Sequence, residues 1–130
     1  MPIKADIDLL NQLTIFTVTG ELSLNDFRST LESVYNGTDA KVTKDILWDL
    51  RNASISALSS QDIEMIVNIG SRYWKARKGG KSAIVALEDV SYGISMIYRG
   101  QASSFPYKIE VFRTLEEALQ WLTEEGEENE

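Results

Sequence analysis

The segment Ser82-Ala83-Ile84-Val85-Ala86-Leu87 constrains this chain more than any other. It is an apolar run without alternating polar positions, too short for a buried helix, preceded by Gly79-Gly80 and followed by Glu88-Asp89. Such a run reads as a strand covered on both faces, central in a largely parallel sheet. Parallel neighbours can be joined only through crossover connections, usually helices, so the rest of the chain has to supply them.

The flanking sequence does supply them. Ile7 and Leu9 alternate with Asp6 and Asp8, and after Asn11-Gln12 comes the β-branched and aromatic run Leu13 to Thr19, which predicts an antiparallel hairpin. Ser23 with Asp26 is a capping signature ahead of Leu24, Phe27, Leu31, Val34 and Tyr35 at helical spacing, and Asn36-Gly37-Thr38 closes that helix. Ile46 to Leu50 is the next strand. Ser59 with Asp62 repeats the cap, and Ile63, Ile66, Val67, Gly70 and Tyr73 carry a second helix to about Arg77. Asp89 is the expected cap of a third helix reaching about Ala102, with Val90, Ile94 and Ile97 inward. Behind Pro106 lies a strand from Tyr107 to Arg113, and Thr114-Leu115-Glu116-Glu117 caps a last helix with the stripe Leu115, Ala118, Leu119 and Leu122. The expected fold is a single α/β domain over residues 1–123, a mixed β-sheet flanked by helices in the order ββαβαβαβα. Residues 124–130, with Glu124, Glu125, Glu127, Glu128 and Glu130, read as an acidic, frayed tail.

A chain of 130 residues, 43% hydrophobic and 25% charged, can bury a core without disulfides or metal. No apolar run approaches the roughly 20 residues that cross a bilayer. Met1-Pro2-Ile3-Lys4-Ala5-Asp6 lacks the features of a secretory signal, so a soluble, cytoplasmic protein without stable membrane insertion is expected. A net charge of −7 opposes general nucleic-acid binding. The sequence holds neither histidine nor cysteine, which removes imidazole and thiol chemistry. Binding or regulation is therefore expected rather than catalysis, with no cofactor and no metal.

The element order, Thr19-Gly20-Glu21-Leu22 leading into the first helix, and Ile46-Leu47-Trp48-Asp49-Leu50 together resemble the STAS superfamily, which includes the bacterial anti-sigma factor antagonists. Gly80 to Val85 and Ile109 to Leu122 resemble its SpoIIAA-like branch, also called STAS/Sec14-like. The resemblance spans nearly the whole chain and rests on apolar and turn residues. It implies a non-enzymatic regulatory or protein-interaction module of bacterial regulation, with a protein partner or a homodimer, or alternatively a binding protein or sensor for a small apolar, lipid-like ligand. It also implies a phosphorylatable serine at the start of a helix. The corresponding stretch is Ile55-Ser56-Ala57-Leu58-Ser59-Ser60, in which the antagonists' Asp-Ser pair is missing its aspartate, so Ser59 and Ser60 are the candidates. The plain alternative is that Ser59 caps the helix with Asp62.

Other candidates follow from residue type and place. Asp49 lies in an apolar strand near the carboxyl edge of the sheet, where α/β folds hold ligands, and is read either as a catalytic or ligand-binding acid or as a structural acid bonded by the following loop. Gly79-Gly80-Lys81-Ser82 ends like a phosphate loop, but Lys75 stands where its first glycine belongs and the order is helix then strand, so nucleotide binding is rejected. Asn36-Gly37-Thr38 and Asn52-Ala53-Ser54 match glycosylation triplets and are read as turns. Arg72, Trp74, Lys75, Arg77 and Lys78, with Lys81 and Tyr73 nearby, form a candidate partner surface, or simply complement a helix terminus. Tyr92, Met96 and Tyr98 give the third helix more apolar surface than one core-facing stripe needs, and mark a candidate apolar ligand pocket or dimer face.

Overall fold

The computed structural model describes residues 2–36 and 43–124. Gly37-Thr38 of the first triplet and the acidic stretch after Glu124 lie outside the described residues. β1 (Ile3–Asp8) and β2 (Leu13–Glu21) form the expected hairpin, with Gln12 at φ 51° in the turn. They are followed by α1 (Leu24–Asn36), β3 (Asp45–Ser54), α2 (Ser60–Ser71), β4 (Lys81–Val85), α3 (Asp89–Gln101), β5 (Lys108–Phe112) and α4 (Leu115–Thr123). The five strands form one sheet in sequence order, antiparallel between β1 and β2 and parallel thereafter. This is the expected mixed α/β fold.

That order decides where the helices go. Each crossover from β2 to β5 steps one strand in the same direction, and right-handed crossovers then stack α1, α2 and α3 on one face. Phe16, Val18, Ile46, Leu50 and Ile84 point into that layer from the sheet. Phe27 and Leu31 of α1 and Ile63, Ile66 and Ile69 of α2 close over them. α4, after the last strand, covers the opposite face, where Ala118 and Leu122 meet Leu13, Leu47, Ala83 and Val85. β4 is thus covered on both sides, with Ala83 and Val85 fully inaccessible, as its unbroken apolar run requires.

β4 stops at Val85, so Leu87, read as part of the doubly covered strand, is 51% exposed beyond it, and Leu9, read in the first strand, lies exposed in the turn after β1. Beyond these strand ends the structure departs from the sequence reading at four places. β3 continues to Ser54 instead of ending at Leu50, because between Thr17 and Thr19 of β2 its register slips by one residue, a bulge that lets the polar Arg51-Asn52 pass while Ala53 returns to the interior. α2 ends at Ser71 rather than near Arg77. Ring carbons of Phe105 press against Gly70, the Ser71 hydroxyl donates to the Asn68 carbonyl at 2.6 Å, and the chain turns into a short 3-10 segment, Trp74–Arg77. α3 is not capped by Asp89: Glu88 is the capping position, its carboxylate accepts from the Ser91 hydroxyl at 3.1 Å, and Asp89 pairs with Arg113 at 2.9 Å.

The fourth difference concerns which way α3 faces. Val90 and Ile97, expected inward, are more than half exposed, at 57% and 56%, while Ser91 and Ser95 are buried at 0% and 3%. Ser91, Ser95, Tyr98 and Ala102 recur at the same helical spacing as Val90, Ile94 and Ile97, so both stripes satisfy the helical period. The structure buries the smaller one, and only Ile94 of the expected stripe stays partly buried.

Candidate functional site

Small side chains on the inner face of α3 leave space beneath it. An apolar cavity of about 70 Å³ lies between α3, α2, α1 and the sheet, walled by Leu50, Ile55, Leu58, Ile63, Ile66 and Ile94, with Ser95 and Tyr98 among the few polar side chains lining it. Phe27, Trp48, Ile84 and Tyr98 also line a second cavity of about 30 Å³, deeper towards the amino ends of β3 and β4. Phe16 stacks on Trp48 at 4.3 Å between ring centres, which fixes that wall.

The second cavity is polar at its far end. Arg77 is only 4% exposed, and this corrects its place in the candidate partner surface: the turn after α2 carries it inward. Its Nε donates to the Lys44 carbonyl at 3.0 Å, and its Nη2 donates to the Lys81 carbonyl at 3.0 Å and to the Ser82 hydroxyl at 2.7 Å. The guanidinium lies 4.0 Å over the Tyr107 ring, and Tyr35 lines the same cavity. Tyr98 lines it as well. Burial pushes Tyr35 up to about 12 and raises Tyr98 and Tyr107 above the usual tyrosine range, so all three remain neutral hydroxyls at ordinary pH. Nothing in the sequence spacing marks this cluster, since Tyr35, Arg77, Tyr98 and Tyr107 come from separate elements. The serine stripe of α3 is the one signal by which the neighbouring cavity was legible.

The motif Gly79-Gly80-Lys81-Ser82 belongs to the same construction and has no phosphate-loop geometry. Gly79 takes φ 84°, and a Cβ on Gly80 would collide with the Lys44 carbonyl. The Lys81 amide donates to Asp45 at 2.9 Å, and the Ser82 hydroxyl accepts from Arg77. The glycines and Ser82 therefore seat the starts of β3 and β4 around the buried guanidinium.

The remaining candidates are dispersed. Arg72, Lys75 and Lys78 are exposed, while Trp74 is partly buried with its ring edge-on to Phe105 at 5.3 Å. Tyr73 stacks on Tyr35 at 4.5 Å. Tyr92 is partly buried under the Arg113 guanidinium, 4.9 Å from its ring centre, and Met96 is 37% exposed on the outer side of α3. Of Tyr92, Met96 and Tyr98, Tyr98 alone lines the apolar cavity. Ser59 caps α2 in a full capping box, accepting from the Asp62 amide at 3.1 Å while the Asp62 carboxylate accepts from the Ser59 amide at 2.9 Å; Ser60 is exposed beside it.

Asp49 is a structural acid. Its carboxylate accepts from the Arg51 amide at 3.1 Å, an N–H displaced from the regular ladder by the bulge, and takes the Arg51 side chain on both oxygens at 2.9 Å. Burial raises its pKa, but the hydrogen bonds and charge of Arg51 outweigh that and hold the carboxyl below its usual range.

Among the described residues, no helix is long and apolar enough to cross a membrane. No family model matches the sequence, and comparison with curated protein sequences gives no match. Solved structures do match. An uncharacterized protein of the DUF3478 family with a SpoIIAA-like fold, from Shewanella loihica PV-4, superposes with a TM-score of 0.59 at 18% identity, over 92% of this chain and 91% of that one. At that identity the likeness speaks for fold alone, and it agrees with the strand order and helix placement found here: the chain has a SpoIIAA-like α/β fold.

Proposed function

We propose that this chain is a regulatory module of the STAS type that works without catalysis, through protein contacts made by the outer face of α3. The observation that carries this reading is the line of Leu87, Val90 and Ile97, each more than half exposed on and just before one helix. Aliphatic side chains gathered on one face, rather than scattered singly, mark a contact surface. The exposed cations Arg72, Lys75 and Lys78 form a separate, polar surface on the turn after α2. Phosphorylation would act on the same module by placing a dianion at the N-terminus of α2, in place of the cap at Ser59 or beside it at Ser60.

A photo-crosslinking residue at position 97, introduced in cells of the native host, tests this. The expected result is a dominant protein adduct, either with a second copy of the chain or with one other protein, lost when Val90→Glu is added. Labelling no stronger than from the same residue at position 116 on α4 would contradict it.

A second reading is favoured by the apolar cavity beneath α3: the chain senses or carries a small apolar molecule. Saturable binding of a linear alcohol such as hexan-1-ol, abolished by the cavity-filling substitution Ser95→Leu, is the expected result; absence of binding to the wild type would sink this reading.

A further inference from the structure

We infer that the outer face of α3 is the interface of a symmetric homodimer, in which two copies of the helix pack antiparallel, Val90 and Ile97 of one seated over Gly100 and Gly93 of the other. This rests on the reading of that face as a contact surface and names its partner as a second copy of this chain.

Three observations lead there. The first is the pair of glycines. Gly93 and Gly100 lie within α3, both are exposed, and a Cβ on either would meet nothing within 4 Å. Neither has a positive φ. Glycine weakens a helix relative to alanine, so within one copy these two positions loosen α3 and relieve no clash. Bare backbone on an outward face is what lets a second backbone come close.

The second is spacing. Val90, Gly93, Ile97 and Gly100 follow one another at intervals of three, four and three residues, large and small in alternation. At about 100° per residue all four fall on one side of the helix. The intervals read the same from either end. Turned end for end on a two-fold axis, a second α3 therefore brings a glycine to the level of each aliphatic side chain, so that the knobs of one helix enter the gaps of the other.

The third is charge. Asp89 stands in the first turn of α3 and Arg99 in the last. Antiparallel pairing sets Asp89 of each copy beside Arg99 of the other, on the flank that holds Met96, whereas parallel pairing would set like charges side by side. Within its own copy Asp89 spends one carboxylate oxygen on Arg113 and Arg99 reaches Glu110, while the Asp89 side chain stays 94% exposed. Such exposed contacts fix orientation more than affinity. One helix against its copy lies below the roughly 1,200 Å² of a standard interface, so the dimer is weak, assembled at about 200 μM and dissociated at about 1 μM.

Sedimentation velocity of the full chain at these two concentrations, in salt that screens the net charge of −7, is expected to show monomer at the lower and dimer at the higher. Gly93→Leu fills the seat of Ile97 and places its Cβ in open space within its own copy. It is expected to stay monomeric at both concentrations while unfolding at no lower urea concentration than the wild type. A second readout tests the register. Met96 lies next to the two-fold axis, so Met96→Cys, treated with copper phenanthroline as oxidant, is expected to form a disulfide-linked dimer. The two copies of Val90→Cys, about 15 Å apart along the helices, should stay reduced. Monomer at both concentrations, undiminished dimerisation of Gly93→Leu, or a Val90→Cys disulfide forming as readily as that of Met96→Cys would overturn this interface. A chain monomeric by sedimentation that still gives one other protein as its adduct at position 97 would overturn the dimer alone and leave the contact surface standing. Monomer with no adduct would remove both.

Discussion

Asp49 and Ser59 show how differently two polar residues near the carboxyl edge of this sheet were legible in the sequence. Ser59 was readable, because a hydroxyl three residues before an acid and ahead of an apolar helical stripe has one local geometry that satisfies both, and the structure shows that capping box. Ser59→Ala is expected to cost about 1 kcal/mol of stability, measured by urea denaturation. Asp49 was readable as an acid needing hydrogen bonds, but the identity of its partner depended on a bulge that no spacing rule announces. Asp49→Asn is expected to cost about 1 kcal/mol at neutral pH, a figure reduced by the exposure of Arg51. The folded state holds the Asp49 carboxyl below its unfolded value of about 4, so its contribution is complete above that pH and is lost as pH falls through the folded value. Urea curves of wild type and variant should therefore converge in acid and stay apart at neutral pH. Arg77 was misplaced altogether. A cation in a run of cations reads as surface, and only the early end of α2 turns it inward.

At the scale of elements, α3 explains most of what the chain presents for binding. Its sequence contains two stripes at identical helical spacing, one aliphatic and one of serines, tyrosine and alanine. Hydrophobicity favours burying the first, yet the fold buries the second, an instance of tertiary context overriding local pattern. Arg99 secures the arrangement at the far end of the helix, donating to the Ile109 carbonyl at 2.9 Å and to Glu110 at 3.1 Å, which ties α3 to the edge strand β5. The consequence is a helix with aliphatic groups facing solvent and a cavity beneath its small inner residues. Because Ile97 makes its contacts on the outside, Ile97→Glu should change stability by less than about 0.5 kcal/mol while abolishing any association through that face, which equilibrium unfolding and sedimentation can compare directly.

For the whole molecule, the order of strands and helices followed from the sequence because the signals are local and repeated: caps at Ser23, Ser59 and Thr114, an unbroken apolar run in β4, and a hairpin at the start. Sequential strand order and right-handed crossovers then leave one arrangement, with three helices on one face and α4 on the other. The candidate site was less legible because it depends on which stripe of α3 faces the sheet and where α2 stops, both set by long-range packing rather than by local pattern. The contact surface and the cavity therefore both depend on the orientation of α3. The chain has no cysteine, so single substitutions supply clean probes. In the native state, Val90→Cys and Ile97→Cys should react with a thiol reagent nearly as fast as in the unfolded chain, while Ser91→Cys and Ser95→Cys should react only at the rate of opening or unfolding. Rapid labelling at positions 91 and 95 with protection at 90 and 97 would contradict it, placing the aliphatic stripe inside and removing the cavity.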